Sequence, residues 1–171
     1  MPRTHKAPTV EEIIHKAIAA QRVASDRQAK DTFKTTEKRL YAYEMIKAKI
    51  ISDRWEIEDI KQFGAPGKSK SIVKYQRGGM RLSPEELSEA LINDLLAEIA
   101  KSEHEIEKID HACRLIANDP YADIIKHKYF EGKTDEAIGA IMNCDPSTVR
   151  RHKSRLVARI SVYFYGVDAV I

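Results

Sequence analysis

What the chain lacks narrows its chemistry first. It has two cysteines, Cys113 and Cys144, with no C-x-x-C or similar spacing, so buried thiols are expected rather than a disulfide or a metal site. No apolar run approaches the roughly 18 residues that span a bilayer, and Met1 to Pro8 lacks the apolar core of a secretion signal. The expectation is a soluble, cytoplasmic protein with no membrane contact. Neither a G-x-x-x-x-G-K-S/T phosphate loop nor a G-x-S-x-G elbow occurs. His104-Glu105-Ile-Glu-Lys108 begins like a zinc-protease motif, but a lysine stands where the second histidine is needed. His111 and Cys113 are two residues apart, so on a helix they point in different directions. No enzymatic activity, no cofactor and no metal are therefore expected. The one tryptophan, Trp55, and scattered Tyr and Phe give the N-terminal half no aromatic cluster on one helix. Trp55 either anchors a small core or serves as a partner's handhold, and the core is the expectation, because aromatic side chains chiefly supply buried area.

What is present is charge sorted along the chain. The overall net charge of +3 is unremarkable. Residues 61–83, however, carry six basic residues and no acid, whereas 84–120 carry ten acids against three bases. Separate segments with separate roles are implied.

Residues 1–8 are polar with two prolines and read as a tail. Thr9 with Glu12 forms a capping box, and Ile13, Ile14, Ala17 and Ile18 make an apolar stripe that predicts a helix to about Ala24. The stripe dissolves at Asp26 to Asp31, so 1–34 is taken as a tail and variable helix. A second helix is expected from Thr35 or Thr36 to about Ser52, with Leu40, Tyr43, Ile46 or Lys47, and Ile50 as its buried row, in a helical segment reaching residue 60. Residues 61–83 hold four of the seven glycines and read as a basic linker, able to touch phosphates or merely to stay solvated.

Ser83-Pro84-Glu85-Glu86 is a helix start, with a cap, a proline at the first position and acids behind it. Ile92, Leu95, Ile99, Ser102, Ile106, Ile109, Cys113 and Ile116 then recur at spacings of three and four, a heptad seam with one polar interruption. Asp119-Pro120 ends this long acidic helix. The seam must be covered, either by a twin in a homodimer through 84–117 or by the Leu40–Ile50 helix folding back. An eleven-residue helix reaches about half its length, so a homodimer is expected.

The remaining segment, 120–171, carries the most specific pattern. Thr134 followed by Asp135 and Glu136 starts a helix, Ile138, Ile141 and Met142 give it an apolar row, and Asn143 tolerates the left-handed backbone that ends it. Asp145 is a second N-cap and Pro146 a first helical residue. On the second helix Val149, Leu156 and Ile160 share one side. Ser147, Arg151, Ser154 and Arg155 occupy the other, flanked by Thr148 and Arg150, with Lys153 also on this helix. From Asp145 to Ile160 there are five basic residues and one acid, lopsided for a merely solubilising surface. Donors near the helix start and cations farther on suit the reading of double-stranded DNA in the major groove. The DNA-contacting set is accordingly Ser147, Thr148, Arg150, Arg151, Lys153, Ser154 and Arg155, with Lys153 and Arg155 serving phosphates.

Lys128-Tyr-Phe-Glu-Gly-Lys-Thr134 leading into Ser147-Thr-Val-Arg-Arg151 resembles region 4 of bacterial sigma factors and, more closely, the C-terminal domain of ArpU/RinA-type phage late-gene regulators. Thr36-Glu-Lys-Arg-Leu-Tyr-Ala-Tyr43 with Ile46-Lys-Ala-Lys-Ile50 is similar to the start of that family's proteins. The pattern departs at Gly139, where alanine is usual, and at Asn143, where glycine is usual. Gly139 should cost its helix up to about 1 kcal/mol relative to alanine unless close packing needs it. The resemblance implies an all-α protein, an N-terminal helical part followed by a sigma region 4-like helix-turn-helix. It further implies an activator of phage or prophage late genes working with host RNA polymerase. A small sigma-like factor and a small terminase-like packaging subunit are the alternatives.

Overall fold

The computed structural model describes residues 10–66 and 82–169, with side chains described from residue 23. Among these residues every regular element is a helix, and the all-α expectation holds. Helix α1 spans Val10–Phe63 and α2 Pro84–Ile116. The short α3, Asp123–Ile125, continues as a π turn, Lys126–Phe130. Helices α4, Asp135–Met142, and α5, Pro146–Tyr165, follow, and a 3-10 turn, Gly166–Ala169, comes last. Among the described residues no helix is long and apolar enough to cross a membrane. The expected tail at 1–8, the Thr9 cap, the side chains of the first apolar stripe and most of the linker, 67–81, lie outside the described residues.

The two separate N-terminal helices expected from the sequence are one helix of 54 residues. No glycine or proline occurs between Pro8 and Gly64, so nothing in the backbone breaks it. The polar run Asp26 to Asp31 interrupts the apolar stripe but not the chain's hydrogen bonding. Thr35 and Thr36, read as a possible helix start, are interior residues. Their hydroxyls donate back to the carbonyls of Asp31 (2.7 Å) and Thr32 (2.9 Å), as threonine does inside a helix. The linker accordingly begins at Gly64, not at residue 61.

The chain divides into two compact units, Leu40–Arg114 and a discontinuous one made of Met1–Arg39 with Leu115–Ile171. The first is an antiparallel hairpin of α1 and α2. Near its turn Ile60 packs with Leu91, edged by Leu87 and Ala65. Farther along, Ile50 and Ile57 pack on Ile99, flanked by Ile46, Ile92, Leu95 and Ile106. Near the open end the Tyr43 hydroxyl donates to Asp110 Oδ1 at 2.7 Å. Burial, then that carboxylate, raises the Tyr43 phenol above its ordinary range. The Ser83 capping box forms in full, with Ser83 N–H donating to Glu86 Oε2 (2.7 Å) and Glu86 N–H to Ser83 Oγ (3.2 Å). From Leu40 to Phe63 α1 runs about 36 Å, comparable with the seam from Ile92 to Ile116. The apolar row of α2 within this unit is therefore covered by the chain's own helix, which removes the reason to place a second copy on it.

Trp55 is 69% exposed and anchors no core. It stands two residues before Ile57, about 200° round the helix from it, so the turn that buries Ile57 presents Trp55 outward. Cys113 and Cys144 are half-buried free thiols, and burial pushes the Cys113 thiol up to about 11.

The other unit is built on Ile124, Ile138 and Val149, with Tyr121, Met142 and Cys144 packed against them. Leu156, Val157 and Ile160 are also buried. The unit is wider than the expected segment 120–171, because the first part of α1 belongs to it. Glu37 Oε1 accepts from the buried Tyr129 hydroxyl at 2.6 Å. The Arg39 guanidinium lies 3.8 Å from the Phe164 ring centre, a cation–π contact.

Candidate nucleic-acid interface

The helix pair α4 and α5 is set by local chemistry. Thr134 is extended, and its hydroxyl accepts from the Ala137 N–H at 3.2 Å, satisfying one orphan donor of the first turn. Lys128 reaches Asp135 Oδ1 at 2.7 Å and holds the same end. Asn143 closes α4 in the left-handed conformation, φ 52° and ψ 46°, as read from the sequence. The Asn143 and Cys144 N–H groups both donate to the Gly139 carbonyl, which turns the chain back over that glycine. A Cβ at residue 139 would sit 2.6 Å from the Cys144 carbonyl oxygen. The glycine at that position is therefore a packing requirement of this turn, and its propensity cost is offset by the close approach.

Asp145 caps α5 differently from the expectation. Its backbone is extended and its carbonyl accepts from the Thr148 (2.9 Å) and Val149 (3.1 Å) N–H groups, but its carboxylate makes no capping hydrogen bond. Pro146 occupies the first helical position. Val149, Leu156 and Ile160 point inward together. In α4 the expected apolar row is two-thirds right, for Ile138 is buried and Met142 half-buried while Ile141 is 49% exposed. A short helix against one neighbour covers a narrower stripe than three apolar residues fill.

The outer face of α5 carries Ser147, Arg150, Arg151, Ser154 and Arg155 exposed, with Thr148 and Lys153 half-buried at its edges. The seven residues differ in what they already hold. Among the described residues Arg150 and Arg151 meet no carboxylate. Arg155 is committed, its guanidinium forking onto Asp119 at 2.7 and 2.9 Å while Arg159 reaches the same carboxylate at 3.2 Å. Lys153 lies 3.7 Å from Glu37 Oε1. The two residues read from the sequence as phosphate contacts are thus the two that pair within the unit. Sequence pattern placed them on the helix but gave no sign of these acids, which lie far away in the chain. A second contact missing from the sequence reading is the stack of His152 on Tyr121, ring centres 3.7 Å apart and 9° from parallel. Burial, then Arg155 and Arg151, holds the His152 imidazole below its ordinary value.

No known family model matches the chain, and no curated protein or solved structure matches it. The candidate surface rests on its own residues.

Asp119 gives this face a measurable acid limb. The Arg155 hydrogen bonds hold its carboxyl down at about 2, from an ordinary value near 4. A lowered folded-state value means that the pair stabilises fully above the ordinary value and that the contribution fades as pH falls toward 2. Urea midpoints of the native chain and of Asp119→Asn should therefore differ at pH 5 or above and converge between about pH 4 and pH 2. A gap that stays constant across that window would show that the pair does not hold α5 in place.

Proposed function

We propose that the chain binds double-stranded DNA through α5 and regulates transcription in a sequence-specific way. The observation that carries the reading is the outer face of α5. Exposed hydroxyls of Ser147 and Ser154 stand beside two arginines that no carboxylate neutralises among the described residues, on a helix backed by a packed partner. Side chains on the first turns of such a helix reach base edges when it lies in a major groove, while cations at its edges meet phosphates. Three residues, 143–145, separate α4 from α5, the spacing of a helix-turn-helix. Ser147, Thr148, Arg150, Arg151 and Ser154 are the direct contacts in this proposal. Arg155 and Lys153 would engage phosphates only by exchanging their present carboxylate partners. The resemblance to ArpU/RinA-type regulators supports the narrower assignment, a late-gene activator acting with host RNA polymerase.

Selection of bound duplexes from a randomised pool tests the proposal. A consensus should emerge, and binding to it should weaken linearly with the logarithm of salt concentration. Arg150→Ala should lower that slope by about 0.9 if one phosphate contact is lost. Failure to enrich any duplex at low salt would refute DNA recognition by this chain.

A further inference from the structure

The α5 helix carries more cations than it can offer to a ligand. Arg151, Arg155 and Arg159 follow one another at spacings of four, so they form a single row along the helix. Asp119 takes the last two of that row. Its carboxylate accepts the fork of Arg155, a third bond from Arg159 and a fourth from the Tyr121 N–H at 3.1 Å. Only 8% of the Asp119 side chain is exposed, so opening both pairs would leave an enclosed charge with one backbone donor, which is costly. On the other flank Glu37 faces Lys153. This second hold is looser, because 3.7 Å is beyond a hydrogen bond and Glu37 keeps the Tyr129 hydroxyl if the lysine leaves. Of the five basic residues from Arg150 to Arg159, three therefore already face a carboxylate within their own unit.

Given the proposed DNA-binding role of α5, on which this rests, we infer that Asp119 and Glu37 are affinity-limiting residues. They keep Arg155, Arg159 and Lys153 off the phosphates, so the face grips duplex DNA with fewer charges than it carries. Phosphate contacts add affinity for every sequence alike, whereas base contacts discriminate. Withholding three cations lowers the first and spares the second, since Arg150 and Arg151 meet no carboxylate among the described residues. Affinity changes show mainly in the dissociation rate, so the native pairs keep visits to non-cognate duplex brief. The opposite role for such acids is to aim a cation at a phosphate, in which case removing the acid would weaken binding. The geometry favours withholding. Both terminal nitrogens of Arg155 bond Asp119, so the bidentate edge that would meet a phosphate is already occupied. The hold is also graded, firm at Asp119 and light at Glu37, and the two acids should differ accordingly.

Binding of the full chain to a fluorescent random-sequence duplex, between about 50 and 200 mM salt, tests the inference. Asp119→Asn releases two arginines. It should bind more tightly by about tenfold at the low end and steepen the salt slope by about 0.9 to 1.8. Glu37→Gln keeps an acceptor for Tyr129 and releases one lysine, so it should steepen the slope by a smaller amount, up to about 0.9. Glu136→Gln is the charge-matched control. It removes an exposed acid of the same unit that pairs with no α5 cation among the described residues, and the slope should stay native. For either carboxylate variant, a native slope or weaker binding overturns the hold by that acid. A gain matched by Glu136→Gln assigns the effect to net charge and overturns both. Melting curves show which variants are folded at the assay temperature, and Glu37→Gln decides if Asp119→Asn is not. A native chain that binds no duplex at low salt is a separate result, which overturns the DNA reading itself.

Discussion

Replacing Thr148 and Arg151 together with alanine should reduce binding at the selected DNA site nearly to the level of random duplex, while the protein melts where the native chain melts. Each good base contact supplies on the order of 1–3 kcal/mol of discrimination, so two lost contacts remove most of the margin between specific and non-specific binding. Arg151 is exposed and meets no carboxylate among the described residues, so the fold has little to lose with it. Only one cation is removed, and the salt dependence should change by no more than about one unit of slope. Arg155→Ala is the informative contrast. That side chain is bound to Asp119, so its loss should lower thermal stability before it alters sequence preference. Equal affinity of the Thr148 and Arg151 double variant and the native chain for the selected site would sink the recognition assignment. A reversed outcome, with Arg155 setting preference and Arg151 setting stability, would sink it as well.

Gly139→Ala should destabilise the α4–α5 unit although alanine is the better helix former. In an open helix the change would gain up to about 1 kcal/mol. Here the new methyl would stand 2.6 Å from the Cys144 carbonyl oxygen. That oxygen is backbone, held by the turn at Asn143 and the start of α5, and it cannot rotate aside as a side chain would. Relief requires moving residues 143–146, and overpacking of this kind costs about 1–3 kcal/mol. The net expectation is a lower urea midpoint for Gly139→Ala, a larger drop for Gly139→Val, and weaker DNA binding in both, because the displaced turn carries Ser147 and Thr148 with it. An alanine variant more stable than the native chain would show that the turn has slack, and the packing account would fail.

Features encoded over a few residues were legible in the sequence. The Thr134 cap, the left-handed Asn143, Pro146 at the head of α5 and the Ser83 cap each depend on side chains within a turn of the backbone they satisfy. The inward row Val149, Leu156 and Ile160 was legible for the same reason, since helical spacing alone decides which residues share a side. The length of α1 is obscured by the polar stretch from Asp26 to Asp31, which breaks the apolar stripe as a helix end would. The absence of glycine and proline over more than fifty residues was the stronger signal, because polarity alters which face is buried without opening backbone hydrogen bonds. Coverage of the seam turns on the other end of α1, where Ile57 and Ile60 continue the buried row past Ile50. Trp55 was misplaced by composition, since its helical angle relative to Ile50 and Ile57 already pointed outward. The acids that hold Arg155 and Lys153 were beyond any local rule, as Asp119 lies 36 residues from Arg155 and Glu37 lies on another helix altogether.

The unit bearing α5 is assembled from both ends of the chain, with Tyr129 and Glu37 separated by 92 positions. During synthesis the first thirty-nine residues leave the ribosome long before the segment from Leu115 exists. The hairpin, whose contacts join neighbouring stretches, can close in the interval, and local contacts form quickly while distant ones wait for loop closure. The surface of α5 therefore matures last. A chain interrupted between Ile116 and Tyr165 carries the whole hairpin sequence and an unfinished α5, so such a truncated product would retain the Trp55 face without the completed arginine face.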